Sequence, residues 1–209
     1  FVNFGTGADG TPIIPGDPVE NISDTPYASA PEKMRRIAYL FLQDVWDING
    51  DLELTAGVRY DHYSDFGDSI NPRLALVWKN SDKLTTKIMY GQAYRAPSYQ
   101  ELFSETSRTL PNADLDPEKS QTLDLSFAYV ATKNLHVNLN IFYFKHTDII
   151  RAISVAGLPK NQFQNIGDHD IQGIELEARW QAMKDLQISG NYSLRKQDEG
   201  LFRISYEPD

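Results

Sequence analysis

Few side chains in this sequence are spaced for bond-making chemistry, and each candidate has a competing structural reading. Glu175 and Glu177 stand two apart in a strand-like run, so their carboxylates share one face. Such a pair could do acid–base work of the kind glycosidases use. The competing reading is two solvated charges on a wet wall. Arg59 and Asp61 repeat the spacing and read as a charge pair on a shared face. Asp168-His169-Asp170, with His146 and Asp148 nearby, offers oxygen ligands to a cation such as Ca²⁺. Polar loop residues that only face water are the commoner explanation, so no metal is expected. Residues 5–10, Gly-Thr-Gly-Ala-Asp-Gly, have the spacing of a dinucleotide cradle, but Thr11-Pro12-Ile13-Ile14-Pro15 follows and cannot supply the helix it needs. No Ser/His/Asp arrangement stands out. With no cysteine in the chain, disulfides and Cys-ligated zinc are excluded. The pattern points away from catalysis, and no cofactor is expected.

The stretch YGQAYRAPSYQELF, residues 90–103, carries more information. It alternates up to Tyr94 and then breaks at Arg95-Ala96-Pro97, where Pro97 cannot continue a ladder. Ser98 and Glu101 have capping-box spacing, which predicts one helical turn from Tyr99 to about Ser104, with Tyr99, Leu102 and Phe103 on one face. Asp116 and Pro117 read as an N-cap and a first helical residue. Tyr94, Tyr99, Phe103 and Arg108 are the ligand-binding candidates, because loops bearing aromatics and arginine suit aromatic or anionic ligands. Arg95 and Pro97 read as residues that set how strand becomes loop.

The elements that must position these residues are strands. Leu52, Leu54, Ala56, Val58 and Tyr60 alternate with Glu53, Thr55, Gly57, Arg59 and Asp61. The same period of two recurs around residues 73–78, 122–129, 135–144, 173–180 and 186–195, and more weakly over 87–94. Over 37–48 both faces are mostly apolar, so the pattern does not orient that strand. This gives about eight strands of roughly 8 to 12 residues, against about 5–6 in ordinary globular sheets and about 9–11 in membrane-spanning strands. Connections alternate in length. Short turns lie near 49–51, 79–83, 131–134 and 181–185, and long polar ones near 95–120 and 147–164, with 64–70 a short exception. Short turns at one end and long loops at the other fit a membrane barrel. So do Trp46, Tyr60, Trp78, Tyr129 and Trp180 near strand ends.

Composition is consistent with this. The 209 residues carry a net charge of −9, which argues against nucleic-acid binding. Mean hydropathy is −0.46, and no apolar run approaches the ~20 residues of a membrane helix. A barrel strand hides half its residues from lipid and looks hydrophilic on average. Two other readings stay open on pattern alone: a self-contained eight-stranded adhesin or structural barrel, and a soluble all-β ligand-binding module or glycosidase.

Four stretches resemble the barrel domain of TonB-dependent outer-membrane transporters. Residues 41–78 are similar to the hairpin ending in Gly-x-Arg-Tyr-Asp and the Pro-Arg strand that follows it. Residues 90–103 resemble the strand that runs into Arg-Ala-Pro-Ser. Residues 112–127 resemble the Asn-x-x-Leu-x-Pro-Glu entry, and residues 163–180 the Asn-x-Gly…Gly-x-Glu stretch. They come in the family's order, although Asp124-Leu125-Ser126 stands where the family often has Glu-x-Gly. The resemblance implies an all-β fold, an antiparallel transmembrane β-barrel segment of about eight strands from a barrel of about 22. Residues 1–33 would be an extracellular loop, 34–195 strands and loops, and 196–209 the start of a further extracellular loop. The plug domain and the TonB-contacting motif would lie outside the segment, which reads as a piece of a larger protein. The implied function is active uptake of a scarce nutrient across the outer membrane of a Gram-negative bacterium. A ferric siderophore leads, with haem and cobalamin as alternatives. The implied partners are an iron chelate, outer-membrane lipid, the plug and TonB. Arg59, Asp61, Glu175 and Glu177 would then face the lumen, and Tyr94, Tyr99, Phe103 and Arg108 would lie in the ligand-binding loops.

Overall fold

The computed structural model describes residues 10–12, 14 and 32–199. Its frame is one antiparallel sheet of eight long strands, ordered as in the chain: β1 (Ile37–Asp47), β2 (Leu52–Tyr63), β3 (Gly67–Ser81), β4 (Leu84–Arg95), β6 (Glu118–Thr132), β7 (Leu135–Thr147), β10 (His169–Met183) and β11 (Leu186–Glu199). Between β4 and β6 lie α1 (Tyr99–Phe103) and β5 (Thr109–Leu110). Between β7 and β10 lie β8 (Ile150–Ile153) and β9 (Asn161–Asn165). At one end, Asp82-Lys83, Lys133-Asn134 and Lys184-Asp185 make minimal turns, and residues 48–51 make a slightly longer one. There Gly50 takes φ 70°, and its amide donates to Asp47 at 2.7 Å. Asn-Gly tolerates such a left-handed residue without strain. The two long connections leave from the opposite end.

Register carries the alternation across the whole sheet. Gln43, Gly57, Arg73, Gly91, Thr122 and Phe144 are successive ladder partners. Val77, Lys87, Ser126, Asn140, Glu175 and Ser193 form a second row on the same side. This face is polar. The other carries Leu42, Val58, Leu74, Ile88, Leu123, Ile141, Ile174 and Leu194, all of them exposed. Ladder pairing also orients β1: Tyr39, Phe41 and Gln43 pair with Asp61, Arg59 and Gly57, which places them on the polar side. Trp46, Trp78, Tyr129 and Trp180 all stand near the short-turn ends of their strands on the apolar side, each more than 40% exposed.

Among the described residues the eight-stranded sheet has no hydrophobic core of its own. Among the described residues, the buried hydrophobics are Leu102, Leu115 and Ile150, all outside the long strands' middles and all at the long-loop end. A continuous apolar face spanning eight strands far exceeds the patches that water-soluble monomers expose.

Two expectations need correction, and a third falls on undescribed residues. Residues 196–199 continue β11 rather than opening a loop; Lys196 and Asp198 still pair with Gln172 and Asp170. Residues 200–209, and most of the loop expected over 1–33 with its Gly-x-Gly-x-x-Gly run, lie outside the described residues. Asp116 and Pro117 start no helix. Asn165 accepts from the Asp116 amide at 2.8 Å, and Glu118 joins the ladder opposite Arg95.

Candidate functional site

The two long connections build one layer at their end of the sheet. β5 pairs parallel with β9, and β9 antiparallel with β8, so residues from both connections share a small three-stranded sheet. Leu102, Leu115 and Ile150 pack beneath it, with Phe103 and Phe163 against them. Polar contacts stitch the same seam. Asn112 Nδ2 donates to the Phe163 carbonyl at 3.0 Å. Asn165 Nδ2 donates to the carbonyls of Asp116 at 2.9 Å and Asp148 at 2.7 Å, and Lys160 Nζ reaches Glu105 at 2.6 Å. Asp148 takes φ 58° where the second connection leaves β7, a conformation Asp accepts better than most residues.

Arg95 anchors this layer to the sheet. Its Nε and Nη2 donate to the two Glu118 oxygens at 2.7 Å each, and Nη1 and Nη2 donate to Glu101 at 3.0 and 3.1 Å. Glu118 also accepts the Ile150 amide at 2.8 Å and faces His146 Nε2 at 3.3 Å. One guanidinium thus joins β4, α1, β6 and, through Glu118, the start of β8. The expected capping box is present: Ser98 Oγ accepts from the Glu101 amide, and Glu101 accepts from the Ser98 amide at 2.7 Å. The helical turn spans Tyr99–Phe103, with Ser104 as its C-cap. Partial burial pulls the Glu101 carboxyl upward. Hydrogen bonds from Arg95 and from Ser98 outweigh that and hold its pKa below the usual carboxylate value.

The ligand-binding candidates separate into two groups. Tyr94 and Phe103 are structurally committed: the Tyr94 hydroxyl donates to Tyr63 at 2.9 Å, and Phe103 packs on the loop core. Tyr99 is half-buried, its ring edge-on to Phe103 at 5.4 Å. Arg108 is exposed, and among the described residues no carboxylate pairs with it. On the polar wall, Arg59 forks onto Asp61, whose side chain is fully buried. Glu177 accepts from Arg179 at 2.7 Å, and Glu175 lies beside Ser126, Asn140 and Ser193 in a hollow of the wall. Glu177 lines the same hollow. The suggested cation ligands are dispersed: His146 meets Glu118, Asp148 meets Lys119, and Asp170 accepts from Tyr143. Among the described residues no three His, Cys, Asp or Glu converge as metal ligands.

Reasoning from sequence missed the Arg95–Glu118 pair as a site. A signal existed in Arg95 and Glu118 flanking the first long connection, both at the ends of alternating runs.

The sequence model of one family, described as TonB dependent receptor-like, beta-barrel, matches residues 2–207. The chain belongs to the TonB-dependent receptor β-barrel family. This is a family of receptors and not of enzymes, which removes the acid–base reading of Glu175 and Glu177. Among relatives, the iron-regulated outer membrane virulence protein of Vibrio cholerae is 29% identical over 127 residues, covering 58% of this chain and 19% of that protein. Heme/hemopexin utilization protein C of Haemophilus influenzae is 28% identical over 179 residues, covering 69% of this chain and 25% of that one. The siderophore receptor PirA of Pseudomonas aeruginosa superposes with a TM-score of 0.71 at 24% identity, over 83% of this chain and 34% of its own. The chain therefore spans between about a fifth and a third of the length of these TonB-dependent receptors. The shared fold makes the eight strands a segment of an antiparallel transmembrane β-barrel.

Proposed function

We propose that this chain is part of an outer-membrane TonB-dependent transporter for active uptake of a scarce nutrient, a ferric siderophore first, with haem and cobalamin as the other classes. The observation that carries the reading is the two-faced sheet, apolar outside and polar inside, crowned at one end by a built loop layer. Family membership supports it. So do the iron-regulated and haem-utilising relatives.

In this reading the loop layer is extracellular. Tyr99 and Arg108 offer an aromatic face and a free cation to the ligand there, Phe103 holds the layer's shape, and Tyr94 is braced on Tyr63 in the sheet beneath it. Arg59, Asp61, Glu175 and Glu177 face the lumen, where the receptor's plug and a water-filled path would meet them. The barrel wall bears no energy source of its own; import would be driven through TonB acting on the plug, both outside this segment.

The test is radiolabelled iron uptake by the parent strain under iron starvation, with single chelates supplied. The reading expects uptake of one chelate class that is lost when either this gene or TonB is deleted. Uptake of every chelate class unchanged in the gene deletion would overturn it.

A further inference from the structure

The last rungs of β4 are held from one side only. The β3–β4 ladder ends at Arg73–Gly91, whereas β4 stays paired with β6 up to Tyr94–Lys119 and Arg95–Glu118. The tip of β4 therefore travels with β6 and with the loop layer that Arg95 anchors. Side chains tie it back to the strands on its other flank. The Gln92 amide donates to the Ile70 carbonyl at 3.0 Å, and the Tyr94 hydroxyl reaches past β3 to the Tyr63 hydroxyl at the end of β2, 2.9 Å away. Tyr63 is the fixed partner. Its ring packs on Phe66 at 4.3 Å and lies beneath the guanidinium of Arg35, which Asp65 holds at 2.7 Å.

Tyr94 also lines a hollow of the polar wall together with Phe41, Arg59 and Asn71. Its hydroxyl has the Asp61 carboxylate as a second hydrogen-bonding neighbour. That carboxylate is fully buried and takes the Arg59 fork at 2.7 and 2.8 Å. Water does not reach it, so it depends on every donor it has. Arg59 itself is half-exposed and stacks over Tyr39 at 4.6 Å. One side chain thus touches both the strand tip that carries the loop layer and the buried carboxylate that fixes a cation of the polar wall. Contiguous contacts of this kind can carry coupling between two sites.

We propose that Tyr94 couples the loop layer to the lumen wall. When the layer shifts on its Arg95–Glu118 anchor, the tip of β4 moves with it. The Tyr94 hydroxyl then leaves Tyr63 and Asp61, and the Arg59 side chain gains freedom on the lumen face. The β2 ladder takes no part, so the change is confined to side chains. This rests on the transport reading, which places the layer outside and Arg59 in the lumen. It adds a route through the barrel wall by which the lumen senses whether the layer is seated. Tyr94 is a positioning residue here, acting on Arg59 through Asp61.

The experiment follows the Arg59 Nε–H by NMR in the intact parent receptor, labelled with ¹⁵N-arginine and purified in detergent; the signal lost in R59K identifies it. Its exchange with water reports how firmly Asp61 holds it. Y94F, which removes only the hydroxyl, should speed that exchange about five-fold, the scale of one lost hydrogen bond. R95Q should speed it to a similar degree and R95K less, and R95Q should add nothing in a Y94F background. R95K, the milder change, carries the test if R95Q gives no folded receptor. The Arg179 Nε–H, bonded to Glu177 at 2.7 Å near the short-turn end of the wall, should not respond in any variant. Arg59 exchange that neither Arg95 variant changes overturns the proposal. So do effects of Y94F and R95Q that multiply, the result expected if the layer acts by another path, such as the Arg35 bond to the Pro97 carbonyl. Faster exchange at Arg179 as well also overturns it, because the barrel would then loosen as a whole. Failure of the transport reading shows separately, as iron uptake that is indifferent to TonB.

Discussion

Arg95 and Glu118 meet through two parallel hydrogen bonds of 2.7 Å, and they do so where one strand ends and the next begins. The connection between them leaves and re-enters the sheet through this single ion pair. Glu118 is almost buried, at 8% side-chain exposure, while Arg95 stays 44% exposed. Removing the cation therefore strands a carboxylate that water reaches poorly, whereas removing the carboxylate leaves an arginine that water can solvate.

Arg95→Gln should loosen the loop layer by roughly 2–3 kcal/mol, the scale of lost hydrogen bonds to a charged group. The middles of the long strands should be unaffected, because Arg95 is only the last rung of the β4–β6 ladder. Hydrogen exchange should show faster exchange over residues 96–117 and 148–168, with β2 and β7 unchanged. Uniform exchange across the receptor would mean that the pair anchors nothing local.

Leu102→Ala should cost the same layer about 2–4 kcal/mol by opening a cavity in its small core. Leu102 is 2% exposed and packs with Leu115 and Ile150 from both connections. Limited proteolysis should then cut both long connections at similar rates, since they share that core. Cutting confined to the first connection would show that the two loops fold separately.

Acid should release the layer only late. The Glu101 pKa lies below its ordinary value, so its ionised form is the stabilising one. The stability it lends is fully present above the unfolded carboxylate pKa, about 4.3, and is lost as pH falls through the lower folded pKa. Loop protection measured by hydrogen exchange should hold at pH 5 and fall only below about pH 4. Glu101→Gln should shrink that acid step, leaving the part that the second carboxylate on Arg95, Glu118, carries. A transition near pH 6 in wild type would place control elsewhere.

Gly173→Val should be poorly tolerated although it lies mid-strand. A Cβ there would stand 2.7 Å from both the Leu194 carbonyl and the Phe142 ring, whose edge covers the glycine. The variant should give folded receptor in lower yield, measured by heat-modifiable mobility on gels. Yield equal to wild type would show that Phe142 moves aside without penalty.

The strands were readable because a period of two survives in all of the long ones but β1: the residues that alternate in the chain are those that share a face in the ladder. The two-faced wall and the capped turn at Ser98 followed from local pattern alone. β1 could not be oriented by pattern, since Tyr39 and Phe41 are as apolar as Leu40 and Leu42; the partners Asp61 and Arg59 decide it. The loop layer was hidden for a different reason. Thr109–Leu110 is too short to show any period, and its partners Asn161 and Gln162 lie far along the chain. Asp116-Pro117 resembles a helix start, and a tertiary contact from Asn165 overrides it. Arg95 was legible as a residue that ends a strand, but not as the hub of four elements.

The central claim is that this sheet is a membrane wall with lipid on one face and a polar lumen on the other. Single cysteines placed in this cysteine-free segment along β6, from Thr122 to Phe127, test it after labelling with a fluorophore in bilayers of brominated lipid. The account predicts strong quenching at positions 123, 125 and 127 and weak quenching at 122, 124 and 126. Quenching without alternation, or strongest at Asp124 and Ser126, would contradict it.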